Sequence, residues 1–170
     1  MSHSAAPSRS RLFVLRPSGT AADLAAPLLD ELVADGVVLE AQRLRSHHPA
    51  WGLRVPGTAL KAGWERVRQA LGRGFLLAPA GGNARTGYGY PTGRICVRRE
   101  GGLTPEFLED LSKRHRLTFL GMAPFAGNAQ ARFEPLDLDT AYLPDLCRAL
   151  VREPGVDAAW LEAEMAYHRS

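Results

Sequence analysis

Lysine and cysteine are scarce in this sequence. Of its 21 basic residues only Lys61 and Lys113 are lysines, and its 170 residues include two cysteines, Cys96 and Cys147. Two cysteines cannot make a disulfide framework, so stability has to come from a hydrophobic core. Both read as reduced, buried, small hydrophobes. Long apolar runs are also missing: no window approaches the ~20 uninterrupted apolar residues of a membrane-spanning helix. There is no basic stripe either. Arginine and acidic residues are interspersed, for a net charge of +3, which argues against nucleic acid as a partner. Residues 1–10, MSHSAAPSRS, hold no apolar segment of the kind a secretory signal needs. They read as a disordered start, and the expected compartment is the cytoplasm, with export only in the company of a partner.

What the sequence does hold is apolar material, at 45% of residues. That is enough for one medium core or two of ~80 residues each. The pattern of elements favours two, because the same plan is written twice. In the first copy, residues 11–78, a strand at Arg11–Leu15 precedes a helix from a Thr20 cap to Ala34, with Leu24, Leu28, Leu29 and Leu32 as its apolar stripe. Strands follow at Val37–Leu44 and Trp51–Val55, then a helix over Thr58–Leu71 with Trp64, Val67 and Leu71 inward, then a strand at Phe75–Leu77. In the second copy, residues 94–170, a strand at Arg94–Arg98 leads to a helix that Thr104 caps and Pro105 begins. Strands at Leu117–Leu120 and Ala129–Phe133 follow. A helix over Thr140–Arg152, with Asp139 available as its cap, and a strand at Val156–Leu161 complete the copy. Each copy reads β-α-β-β-α-β, so the expected fold is α+β: two tandem ferredoxin-like units, antiparallel sheets with both helices on one face. Residues 79–93, with five glycines, read as the linker between them. The stretch matches neither GxGxxG nor GxxxxGK[ST], so a phosphate-binding loop is the weaker reading.

Chemistry-bearing residues are scattered. His47, His48, His115 and His168 lack the paired short spacings of a metal site, and neither cysteine has a Cys or His within four residues. Ser18, Ser46 and Ser112 are isolated and there is no GxSxG turn. Asp137 and Asp139 read as a turn and a cap. No nucleophile, base and orienting group fall together, so the expectation is a non-enzyme without metal or cofactor. Trp51, Trp64 and Trp160 read as core or interface anchors.

The stretch GRICVRREGGLTPEFLEDLSKRHRL and the close LCRALVREPGVDAAWLEAEMAY carry a resemblance. A late helix, then Pro154-Gly155-Val156, then a short strand and an extended tail make residues 93–167 similar to the propeptide domains of subtilisin-family serine proteases. The resemblance implies a βαββαβ domain that lays its open sheet face over two surface helices of a protease and runs its tail into the active-site cleft like a product. On these residues, Tyr167 would enter the first specificity pocket, Ala166 the second subsite, and Glu164 would face the fourth, with Met165 partly exposed. An acidic Glu164 departs from the apolar preference of that fourth subsite, and His168-Arg169-Ser170 extend past the proposed junction. By alternation the sheet face would show Arg98, Gln130, Arg132, Asp157 and Ala159. No catalytic domain follows in this sequence, so the implied role is a stand-alone inhibitor or folding chaperone of a subtilisin-like protease, acting in trans. The alternative is a tandem ACT-like regulatory module binding a small molecule such as an amino acid; a degenerate enzyme on the same fold is a third, weaker option.

Overall fold

The computed structural model describes residues 9–83 and 85–166. Residues 1–8 of the expected disordered start, and Tyr167 and His168, lie outside the described residues; Ser10 already belongs to the first strand. The protein is α+β, with two antiparallel sheets and, among the described residues, four α-helices. The chain divides into a first unit running to Tyr90 and joined by Met165 and Ala166, and a second unit, Pro91–Glu164. No helix among the described residues is long and apolar enough to cross a membrane.

In the first unit, β1 (Ser10–Pro17) is followed by a single 3-10 turn, α1 (Ala22–Ala34), β2 (Glu40–Arg43), β3 (Trp51–Pro56), α2 (Leu60–Ala70) and β4 (Phe75–Pro79). The sheet order is β2-β3-β1-β4, every pairing antiparallel. Period-two alternation decides which residues meet the helices. Phe13 of β1 and Val55 of β3 face α2, where Gly63 lets the helix come close: a Cβ there would sit 3.4 Å from Val55 Cγ1 and 3.7 Å from Phe13 Cζ. Trp64 buries its ring and donates its indole N–H to the Leu77 carbonyl at 2.7 Å, so the one polar atom of a large apolar group is satisfied. The helix-stripe expectation is corrected in α1. Ala25, Leu29 and Leu32 are buried, while Leu24 is 64% exposed. The 3-10 turn ahead of α1 sets the phase, and spacing of four and three from Ala25 selects Leu29 and Leu32.

Residues 79–93 are not a linker. β5 (Gly81–Asn83) and β6 (Gly87–Arg98) form an antiparallel hairpin, with Gly81 opposite Gly89 and Asn83 opposite Gly87. Asn83 Oδ1 accepts from the N–H groups of Arg85 (2.8 Å) and Thr86 (3.0 Å), holding the turn. Gly82 has φ +81°, and a Cβ there would meet the Gly87 carbonyl oxygen at 2.2 Å. Only glycine fits this position. The first strand of the expected second copy therefore begins seven residues early, at Gly87 rather than Arg94, and Tyr88 and Tyr90 belong to the first unit.

In the second unit, β6 leads to α3 (Pro105–His115), β7 (Leu117–Met122), β8 (Gln130–Pro135), α4 (Leu143–Val151) and β9 (Ala158–Ala166). β7, β8 and β6 are neighbours in that order, and β9 pairs with β6. α3 starts as its sequence dictates: Thr104 Oγ1 accepts from Phe107 N–H at 3.2 Å and Pro105 follows. Glu106 in the first turn and Lys113, Arg114 and His115 in the last oppose the helix dipole. Leu108 and Leu111 of α3 and Leu143 and Leu150 of α4 are buried together with Ile95, Val97 and Phe133 of the sheet. Asp139 does not cap α4. The helix begins later, with Tyr142 at the cap position and Pro144 in its first turn, and no side-chain cap bond. Ahead of it, the Asp137 carbonyl accepts from the N–H groups of Thr140 and Ala141 in a separate turn.

Candidate protein-docking face

The second sheet presents a charged side away from the helices. On β8, Ala131, Phe133 and Pro135 are buried while Gln130, Arg132 and Glu134 are half-buried. On β6, Ile95 and Val97 turn inward, so Arg94, Cys96 and Arg98 share the other side. The register joins these sets: Cys96 lies opposite Arg132, and Arg98 opposite Gln130. β9 contributes Glu162, whose Oε2 accepts from Arg132 Nη2 at 2.6 Å and Nε at 3.1 Å. Arg94 Nη1 stands 3.8 Å from the other carboxylate oxygen. One carboxylate thus ties a guanidinium from each of two strands. The Arg132 and Glu162 side chains keep just under a third of their surface, so their fork-to-carboxylate pairing is screened less than a surface pair. Trp160, two residues before Glu162 on the same strand face, is 38% exposed.

Arg98, Gln130 and Arg132 therefore share the face the sequence assigns them. Asp157 and Ala159 do not: Glu162 fixes the parity of β9, which places Trp160 with the face and Ala159 on alternate positions. Asp157 is occupied at the corner, where its Oδ2 accepts from Glu100 N–H at 2.6 Å and its own N–H donates to the Arg98 carbonyl at 2.9 Å. The misassignment is a one-residue slip, which inverts every side chain of a strand. The tail is corrected as well. Glu164, Met165 and Ala166 are not an extended tail but the end of β9, a strand that pairs with β6. Met165 is 53% exposed. Tyr167, the residue proposed for the first pocket, lies outside the described residues.

The thiols are poor nucleophiles where they stand. Burial pushes the Cys96 thiol up, the nearby Glu162 carboxylate adds to that, and Arg132 opposes it. Burial pushes Cys147 further, to about 11, with Cys96 adding and Arg148 opposing. Both cysteines are free. Among the described residues no group of three or more His, Cys, Asp or Glu gathers as a metal site. His47 and His48 are exposed. His115 Nε2 lies 2.6 Å from Glu153 Oε1, while Arg114 Nη1 holds the second oxygen at 2.8 Å. This clamp ties the end of α3 to the segment after α4. Ser112 donates to the Leu108 carbonyl within its own helix, at 2.7 Å.

The sequence reading missed an apolar groove between α3 and β7. It encloses about 640 Å³ among Leu103, Leu108, Leu117, Phe119 and Met122, with Glu109 at its border. Beside it, Phe119 and Leu120 are each 43% exposed, and Phe125, at φ 65°, is fully exposed. A β-bulge lies between Phe119 and Gly121 and breaks the alternation of β7. The signal for it was the uncharged stretch from Phe119 to Phe125, apolar except at Gly121 and Pro124.

The chain matches no protein-family model and no curated protein. Among solved structures, a crystal structure of an unknown protein from Galdieria sulphuraria is similar at a TM-score of 0.27 and 17% identity, over 92% of this chain and 100% of that one. So loose a likeness carries no argument about fold or function.

Proposed function

We propose that the chain is a pair of ferredoxin-like units that acts as a stand-alone propeptide-like inhibitor or folding chaperone of a subtilisin-like serine protease. The strand orders support the fold half of this reading. β2-β3-β1-β4 in one unit and β7-β8-β6-β9 in the other are the same permutation of a β-α-β-β-α-β chain. The observation that carries the functional half is the helix-free face of the second sheet. Arg94, Arg98, Arg132 and Glu162 stand on it together with Trp160, and an exposed aromatic sharing a sheet face with arginines is the composition of a protein-binding patch. Docking is by this face first. Product-like entry into a protease cleft then falls to the residues after Ala166, because Glu164–Ala166 are engaged in β9. Two free thiols suit a reducing compartment, in keeping with a cytoplasmic role.

The test is a progress-curve inhibition assay of the full chain against a panel of subtilisin-like proteases. Trp160→Ala is expected to weaken inhibition by at least tenfold with an unchanged far-UV spectrum, as loss of a central aromatic anchor does. Removal of residues 167–170 is expected to weaken it further while leaving β9 whole. A chain that neither inhibits any of these proteases at micromolar concentration nor speeds their refolding disproves the reading.

A further inference from the structure

The first unit contains a polar hollow that the docking reading leaves unused. It lies on the side of the first sheet away from α1 and α2. Leu12 and Gly52 form its floor, Glu40 and Gln42 of β2 and Arg54 of β3 its rim, and Tyr88 and Tyr90 of β6 its wall. The volume is about 190 Å³. At ~30 Å³ per liquid water that is room for roughly six waters, the bulk of a free amino acid and well below a drug-sized site. Gly52 makes the depth, since a Cβ there would come within 3.3 Å of Leu44 Cδ2 and 3.7 Å of the Tyr90 hydroxyl. A glycine inside a central strand marks a place where something approaches the backbone closely.

The rim charges are of opposite sign and meet only as a loose, exposed ion pair. Arg54 and Glu40 are cross-strand partners, yet Nε and Oε2 stand 3.8 Å apart, beyond hydrogen-bond length. Arg54 spends one N–H on Ser10 Oγ at 3.4 Å, a weak bond. Tyr90 is 1% exposed, and burial, with Tyr88 adding, raises its phenol above the ordinary value, so its hydroxyl stays neutral. The wall is anchored from behind: Arg16 Nη2 donates to the Tyr90 carbonyl at 3.2 Å.

We propose that this hollow binds a small zwitterion, an α-amino acid with a short apolar side chain. Its carboxylate meets the Arg54 guanidinium, a fork matched to two oxygens. Its ammonium meets the Glu40 carboxylate and the Gln42 amide oxygen. Its side chain lies over Leu12 and Leu44 beside the Tyr88 ring. A molecule with only one of the two charges leaves one rim group without its counter-charge, so it binds more weakly. The site lies wholly within the first unit and does not depend on the protease reading.

The experiment uses the full chain, with each of the twenty amino acids tested singly by calorimetry and thermal shift. At least one neutral amino acid is expected to bind and to raise Tm in proportion to the logarithm of its concentration. Its methyl ester and its N-acetyl derivative should bind more weakly. Arg54→Gln and Glu40→Gln, both at exposed rim positions that the fold tolerates, should each weaken binding at least tenfold, and Gly52→Ala should abolish it by filling the floor. The proposal is overturned if no amino acid gives heat or a shift at about 10 mM, if the one-charge derivatives bind as well as the parent, or if Arg54→Gln binds like the native chain.

Discussion

The two sheets share a strand order and differ in what lies on the side away from their helices. In the first unit that side is largely closed. Val14 and Ala78 have no exposure, and Tyr90 of the glycine-rich hairpin has 1%. In the second unit the equivalent side keeps arginines and a tryptophan in contact with solvent, and a single carboxylate, Glu162, pairs with two of them, Arg94 and Arg132. One arrangement of elements thus yields a small polar hollow in one case and a broad polar surface in the other. The difference comes from side chains and from one added hairpin, not from topology. It illustrates why function has to be argued from a site rather than from a fold.

Removing the closure should erase the difference. Tyr90→Ala deletes a fully buried ring and is expected to cost about 3 kcal/mol or more. Urea unfolding followed at Trp51 and Trp64, both in the first unit, should move while the signal of Trp160 moves less; equal shifts would mean the hairpin does not close the first unit alone. A milder break is Glu153→Ala in the second unit. It strands the largely buried His115, while Arg114 keeps Asp110 at 3.0 Å, and the loss should be about 2 kcal/mol in the same assay. Gly82→Ala attacks the hairpin itself through a positive φ and a 2.2 Å clash, with a loss of about 1–2 kcal/mol in the first unit and weaker amide protection over β5. Thr104→Ala removes the α3 cap and should cost about 1 kcal/mol, confined to the second unit.

The last effect is seen only at alkaline pH. The Cys147 thiol is raised to about 11 in the folded protein from an ordinary 9.0. The unfolded chain therefore loses this proton first as pH rises. The contribution is fully present below pH 9 and is lost between 9 and about 11, so stability falls with pH in that window. Cys147→Ala should flatten this part of the curve. At pH 8 the residue should also alkylate about a hundredfold more slowly than an ordinary cysteine, the ratio of thiolate set by that shift.

Where one physical signal dominated, the sequence was readable. α3 could be located because Thr104, Pro105 and the leucine spacing all agree. β8 could be placed because buried and half-buried residues alternate without interruption. The hairpin could not, because Gly81, Gly82, Gly87 and Gly89 supply no side-chain period; their backbone freedom, which reads as looseness, is what lets the turn close. The face of β9 was off by one residue, since Asp157, Ala158 and Ala159 carry no apolar alternation to fix parity. The hollow around Gly52 was hidden for a related reason: it is built by residues 40–54 and 88–90, far apart in the chain, and a missing side chain leaves no mark in composition.

The second unit is an insertion within the first, because Met165 and Ala166 return to the unit that ends at Tyr90. During synthesis, residues 91–164 leave the ribosome before the last piece of the earlier unit does. The later unit is thus expected to mature before the earlier one is finished. Chains cut after residue 164 and held on the ribosome by an unrelated linker long enough to clear the exit tunnel should accordingly resist protease over 91–164 sooner than over the stretch that was made first.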